Sequence, residues 1–304
     1  LLCCLCIAAC VAAPSKGPRV FAVGPRLEYS KPSEVAALVG PGDTVNISAG
    51  TYADCVVWPK NVPGLKLMGV GGDVVLAGKT CAGKAIFVIQ GDDTLVRGLT
   101  FKGAKVEDHN GAGIRMESRK LTIEGSHFIG NENGILTTSN PDAELIIRNS
   151  SFEGNGACIE ECAHGLYAGR IARVHIEHSV FLAQHVGHHV KSRAALTEII
   201  DTRIEDGPEG TSSYLVDIPN GGDLFMSGDT LEKGPLSSNK TTAIEIGAEG
   251  LSNATNSIRI ENCRFTNNTG GPVVFLLNRT TTVPQLTGNA FEEEVIPISG
   301  PGSV

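Results

Sequence analysis

Leu121–Phe128 reads LTIEGSHF and Leu145–Phe152 reads LIIRNSSF. In each, apolar residues alternate, two or three polar or small residues follow, and one apolar residue closes the phrase. Alternation at period two marks a half-buried strand rather than a helix. The phrase recurs as LVRGLTF (Leu95–Phe101) and VHIEHSVF (Val174–Phe181). Weaker copies are TEIIDTRI (Thr197–Ile204), LFMSGDTL (Leu224–Leu231), IRIENCRF (Ile258–Phe265) and PQLTGNAF (Pro284–Phe291). Successive closing residues lie 23 to 34 positions apart.

Short β-runs separated by Gly, Asn or Asp, repeated about every 25 residues, build the coils of a parallel β-helix. The leucine-rich-repeat signature is absent, and a propeller blade needs about 40 residues. The expected fold is therefore all-β, a single-domain parallel β-helix, with like residues stacked at about 4.8 Å between coils. Gly130-Asn131, Asn133-Gly134 and Gly154-Asn155-Gly156 are predicted to turn its corners. Lys31–Leu38 (KPSEVAAL) is predicted as a short helix capping the N-terminal end.

Composition agrees: 37 of 304 residues are Gly and aromatics make up 5%. That suits turns and aliphatic ladders. A net charge of −8 argues against nucleic acid, which needs a basic face. It leaves room for an acidic sugar, because a few local cations can dominate a groove.

Residues 1–13 (LLCCLCIAACVAA) are too short to span a bilayer and read as the remnant of an export signal, before a domain over 14–304. Ile7-Ala8-Ala9-Cys10 also resembles a bacterial lipobox, which would put a lipid anchor on Cys10; plain signal cleavage is the rival. A secreted, periplasmic or cell-surface location follows, and it permits disulfides. Cys55 and Cys81 stand about one coil apart and can bridge adjacent coils, whereas Cys158 and Cys162 can pair within one loop. Cys263 is then left as a small buried apolar residue. No cysteine spacing reads as a metal site, and no resident cofactor is expected. Calcium is the one ion that scattered carboxylates could take. A monomer is expected.

The densest polar segment is His164 to Asn220. In GHHVKSRA (Gly187–Ala194), an inward Val190 puts His189, Lys191 and Arg193 together on the outward face. Such cations suit carboxylate or sulfate groups. Tyr167 precedes Lys191 by about one coil and Asp217 follows it by about one. The spacing predicts an outward ladder of Arg115, Thr137, Tyr167, Lys191, Asp217 and Glu245, with Ser213 and Leu215 beside Asp217. His164, His188, Tyr214 and Asn220 complete the candidate substrate-binding set. The ordinary readings of these residues are a solvated charged strand, a half-buried tyrosine and an Asx turn before Pro219-Asn220-Gly221.

Val39–Cys55, VGPGDTVNISAGTYADC, resembles the first coil of pectate-lyase-like β-helix proteins, which often open with PGDTV…GTY. The region Phe21 to Phe291 is similar to secreted right-handed β-helix proteins of bacteria. The resemblance implies a right-handed coil and a polysaccharide partner, without fixing an activity. Locally, Lys191-Ser192-Arg193-Ala194 resembles the Lys-Ser segment of chondroitinase-B-like and alginate-lyase-type β-helix enzymes, which implies Lys191 as the base. Where those enzymes carry an RHGN-like phrase one coil later, this chain has Asp217-Ile218-Pro219-Asn220-Gly221, keeping Asn-Gly and losing Arg-His.

β-Elimination from a uronate needs a cation on the carboxylate, a base for the C5 proton and an acid for the leaving oxygen. Lys191 or a histidine can be the base, Arg193 the carboxylate fork, and Tyr167 or His189 the acid. C5 epimerisation passes through the same carbanion. The expectation is a lyase or C5-epimerase acting on a uronate-containing acidic polysaccharide outside the cytoplasm. A non-catalytic polysaccharide-binding scaffold is the second reading. A hydrolase is the third, using carboxylates among Asp201, Asp206, Glu209, Asp217 and Glu245. The inserts Ala157–His164 and Lys233–Thr242 are expected to wall the site.

Overall fold

The computed structural model describes residues 17–292 and 294–303. The export-signal segment 1–13 and its Cys10 lie outside the described residues. The chain winds through about ten coils of roughly 27 residues, slightly more than the expected 25 because some coils carry inserts. Among the described residues two sheets result, one of 19 strands and one of ten. The ten-stranded sheet holds one strand from each coil, from Val56–Trp58 to Val295–Ser299, all paired in parallel.

The closing residues of the repeat form one inward ladder. Phe101, Phe128, Phe152, Phe181, Ile204, Leu231, Phe265 and Phe291 are successive register partners. From Phe101 to Phe181 the rings stack with centroids 5.2, 4.6 and 4.4 Å apart. Each such pair adds about 0.5–1.5 kcal/mol beyond its area burial. One hydrophobic cluster runs from Phe21 to Leu276.

The corners carry their own ladder. Backbone N–H groups of Ser126, Ser150, Ser179 and Thr202 donate to the side-chain oxygens of Ser150, Ser179, Thr202 and Asp229 in turn. The preceding residue needs left-handed backbone: Gly125, Asn149, His178, Asp201 and Gly228 have φ of 53, 49, 48, 46 and 70°. Gly, Asn and Asp tolerate that conformation best, hence the turn composition of the repeat. Gly130, Gly154 and Gly156 also have positive φ, as expected, but Gly134 does not.

The predicted capping helix shrinks to one 3₁₀ turn, Pro32–Glu34. Lys31 supplies no side-chain cap for a longer helix. Val35 is still buried against the core, so the turn does cover the end of the coil. Disulfides join Cys55 to Cys81 and Cys158 to Cys162, and Cys263 is free and buried.

Candidate functional site

The strands of the ten-stranded sheet break period-two alternation in the same way. Ile86 and Phe87, Leu215 and Val216, and Ala243 and Ile244 all enter the main core as consecutive pairs. Ala85 and Val88 instead join Ala112, Leu136 and Tyr167 on the outer face. The strands Ala85–Ile89, His188–Ser192, Tyr214–Ile218 and Thr242–Ile246 thus run out, in, in, out, in.

The break decides the histidines. Val190 pairs with Val216 and Lys191 with Asp217, so His189 stands at the position of Leu215. His189 is 1% exposed, with Nε2 3.0 Å from Asp206 Oδ1. The expected outward placement of His189 and Leu215 is therefore corrected: both point inward, and His188 takes the groove position. The strand enters through Gly187, whose φ is 56°. A Cβ there would lie 2.1 Å from the Ala163 carbonyl oxygen, so glycine meets both a conformational and a spatial need.

The outward ladder runs Arg115, Leu136, Tyr167, Lys191, Asp217, Glu245, Leu277. Thr137 was expected in place of Leu136; it pairs with Met116 instead, because the insert before Tyr167 hides a one-residue slip from spacing alone. Ala85, Val88, Ala112 and Leu136 are nearly fully buried, so the outer face is covered there and opens at Tyr167. Arg115 sits on the covered stretch, half-buried, and its Nε has no hydrogen-bond partner among the described residues. It stands three register positions from Lys191, apart from the other candidates.

Of those, His164, Tyr167, His188, Lys191, Arg193 and Ser213 line a cleft of about 660 Å³. Arg193 is its anchor. Its Nε donates to the Tyr167 hydroxyl at 3.0 Å, one terminal nitrogen to Asn220 Oδ1, and the other pairs with Glu249 at 2.6 Å. Lys191 Nζ lies 3.0 Å from Glu249 Oε1, 3.8 Å from Asp217 Oδ2 and 5.6 Å from the Tyr167 ring centre. Glu249 thus bridges both cations with one carboxylate. Burial pushes its carboxyl up, but hydrogen bonds from Lys191 and Arg193 outweigh that and hold it below the usual carboxylate value. The predicted inserts contribute Cys158, Glu161 and Cys162 on one side and Ser238 on another.

Beneath the cations lies a ladder of rings. His164 and His188 stack with centroids 4.7 Å apart, and Tyr214 follows at 5.1 Å. Each histidine accepts a backbone N–H from the next coil: His188 N donates to His164 Nδ1 at 3.0 Å, and Tyr214 N to His188 Nδ1 at 3.2 Å. The proton of each neutral ring therefore sits on Nε2. Burial, then the charges of neighbouring groups, pushes His164 well below its ordinary value and His188 down to about 3. His188 Nε2 faces Asp217 Oδ2 at 3.4 Å.

Asp217 is the strained carboxyl of the group. Burial raises its pKa to about 7; Lys191 opposes the rise while Glu245 and Glu249 reinforce it. Its Oδ1 is buried with no hydrogen-bond partner among the described residues. Burial and then Glu245 beside it raise the Tyr214 hydroxyl above its ordinary range. Glu245 is itself held by Arg279 at 2.7 Å. Ser213 lines the cleft, and its carbonyl accepts from the buried Lys233.

Glu249, Arg279 and Lys233 are what sequence reasoning missed at this site; Asp206, expected only as a hydrolase carboxylate, lies buried against His189 instead. Glu249 lies in a loop 58 residues from Lys191, beyond any one-coil count. Lys233 was findable: alternation from the inward Leu231 puts it inside. Among the described residues no cluster of His, Cys, Asp or Glu is arranged to hold a metal ion.

A family model described as the right handed beta helix region matches residues 79–181. The chain is a right-handed parallel β-helix. Among solved structures it is similar to pectate lyase Pel9A, at 13% identity and TM-score 0.50 over 94% of this chain and 81% of that one. It is also similar to Geobacillus virus E2 ORF18 (14%, TM-score 0.48, 84% of this chain) and to a PL6 family alginate lyase, AlyGC (15%, TM-score 0.48, 97% of this chain). The β-helix spans 53% of the viral chain and 38% of the alginate lyase. At such identities the likeness is one of fold. No curated protein matches the sequence.

Proposed function

We propose that this β-helix is an extracytoplasmic lyase that cleaves a uronate-containing acidic polysaccharide by β-elimination. The observation that carries the reading is the Glu249 carboxylate lodged between Lys191 and Arg193, 3.0 and 2.6 Å from their nitrogens. A substrate uronate presents the same group and would take its place. Two cations on that carboxylate stabilise the charge that develops when the adjacent C5 proton leaves.

The remaining steps fall to the neighbours. The Lys191–Asp217 couple takes the C5 proton, with the Asp217 carboxylate as acceptor; a group titrating near 7 suits a base at neutral pH. The C5–H electrons form the C4–C5 double bond as the C4–O4 bond breaks. Tyr167 gives its hydroxyl proton to O4. Its oxygen already accepts from Arg193 Nε, which leaves that proton free to point away. Water returns a proton to Tyr167 and removes one from Asp217. Two disulfides suit an oxidising compartment outside the cytoplasm. Fold-level likeness to pectate lyase Pel9A agrees with the reading without carrying it.

Binding without turnover is the second reading, and the same Glu249 bridge favours it, since both cations are already paired. Product masses after incubation with alginate, pectate and glucuronan in deuterium oxide separate the alternatives, because C5 epimerisation then leaves deuterium in a polymer of unchanged length. Elimination gives fragments one water lighter than hydrolysis does. Epimerisation leaves the chain length intact, and a scaffold leaves the polymer unchanged.

A further inference from the structure

The cleft rests on a buried polar layer that the chemistry above does not use. Lys233 and Asp206 have fully buried side chains, and His189 lies beside them. The Asp206 carboxylate accepts from His189 Nε2 at 3.0 Å, from the Gly234 N–H at 3.1 Å and from the Ser237 hydroxyl. Lys233 Nζ stands 3.8 Å from Asp206 Oδ2. It donates to the Ser213 carbonyl oxygen at 2.5 Å and to the Ser212 carbonyl and hydroxyl oxygens at 3.4 Å. Burying an ammonium is costly, and a leucine or methionine would fill the same place more cheaply.

The Ser213 carbonyl and the Tyr214 N–H belong to one peptide unit. Lys233 grips its oxygen, and its N–H donates to His188 Nδ1 at 3.2 Å. A peptide whose oxygen meets a cation becomes a stronger N–H donor, because hydrogen bonds in series polarise one another. The alternative His188 tautomer would set Nδ1–H against Tyr214 N–H and leave two buried donors unsatisfied. His164 offers an internal comparison. Its Nδ1 accepts the His188 N–H, but the carbonyl of that peptide, Gly187, accepts from the neutral Ser213 N–H at 2.6 Å. Only the His188 lock is backed by a charge.

We infer that Lys233 is a positioning residue: through the Ser213–Tyr214 peptide it locks His188 as the Nε2–H tautomer that faces Asp217. The Nε2 proton then faces Asp217 Oδ2 at 3.4 Å, aligning the carboxyl beside Lys191. The benefit to Asp217 rests on the lyase reading; the tautomer lock does not.

The test is nitrogen-15 NMR of the full chain labelled at histidine, comparing wild type with Lys233→Met, an uncharged side chain of similar length. Wild type should show His188 neutral at pH 7, bare at Nδ1 and protonated at Nε2. Lys233→Met should show a mixture of tautomers at His188, with His164 unchanged. A wild-type His188 protonated at Nδ1, or an unaltered tautomer in the variant, overturns the inference. If Lys233→Met does not fold, the wild type decides alone. With carbon-13 on lysine, the His188 nitrogens should shift with the Lys233 titration. That titration is set against the carboxylates Asp206 and Glu232, with His189 paired to Asp206 beside them. No shift across the Lys233 midpoint overturns the lock. On a polymer that is cleaved, Lys233→Met should lower kcat on the order of tenfold with KM nearly unchanged. An unchanged kcat together with mixed tautomers overturns the benefit to Asp217. Absence of any cleavage by wild type refutes the lyase reading and leaves the NMR outcome standing.

Discussion

Arg193 follows Tyr167 by 26 residues, and its Nε donates a 3.0 Å hydrogen bond to the Tyr167 hydroxyl across adjacent coils. The same guanidinium holds Asn220 and Glu249 with its other nitrogens. A lysine at this place keeps the charge and loses the fork. Arg193→Lys should therefore lower kcat/KM about 10²–10³-fold, the scale of removing one aligned donor from a developing charge. Steady-state kinetics on a cleaved polymer checks this; a loss under about twofold would mean the fork is idle.

Glu249 competes with substrate for the two cations. Glu249→Gln removes that competition while keeping the loop, whose backbone is tied to Pro219 and Asn220. Glu249 is the exposed partner of both pairs, and solvent-screened ion pairs are worth about 0.2–1 kcal/mol each, so KM should fall severalfold. A raised KM would show that Glu249 helps to bind substrate.

Asp229 stands in the corner ladder, accepting from the Thr202 N–H at 2.8 Å with Cys263 Sγ 3.8 Å away. Burial raises its carboxyl from 3.8 to about 8. Because the folded chain holds this proton more tightly than the unfolded chain, Asp229 stabilises the fold below pH 4. That contribution is lost as pH rises through about 8. Asp229→Asn keeps the acceptor and removes the titration. Its Tm relative to wild type should climb between pH 4 and 8. A difference that does not vary with pH would contradict the raised value.

Phe152 stacks between Phe128 and Phe181 at 4.6 and 4.4 Å. Phe152→Ala should cost about 3–5 kcal/mol, read from denaturant unfolding, since rings locked in a ladder cannot collapse into the gap. A cost below about 1 kcal/mol would mean the ladder adapts.

The coil was legible because its repeat is written in apolar residues. Closing positions from Phe101 to Phe291 fall in register, and Tyr167, Lys191, Asp217 and Glu245 share one ladder as spacing predicts. Errors arose where local backbone overrides period two. His189 turns inward because its strand places two consecutive core residues, His189 and Val190, after the outward His188. Thr137 gives way to Leu136 because an insert hides the register. Glu249 was out of reach, since a loop residue meets the groove through no periodic rule. Lys233 was in reach by alternation and was passed over because a buried ammonium is rare.

The most direct test of the central claim is ultraviolet absorbance of unsaturated uronate ends after mixing the protein with alginate, pectate, glucuronan and chondroitin, with and without calcium. The account predicts a rise on at least one of these polymers, abolished in a folded Lys191→Ala variant. No rise on any of them, with retardation of the same polymers in gels, would contradict elimination and leave a binding scaffold or an epimerase.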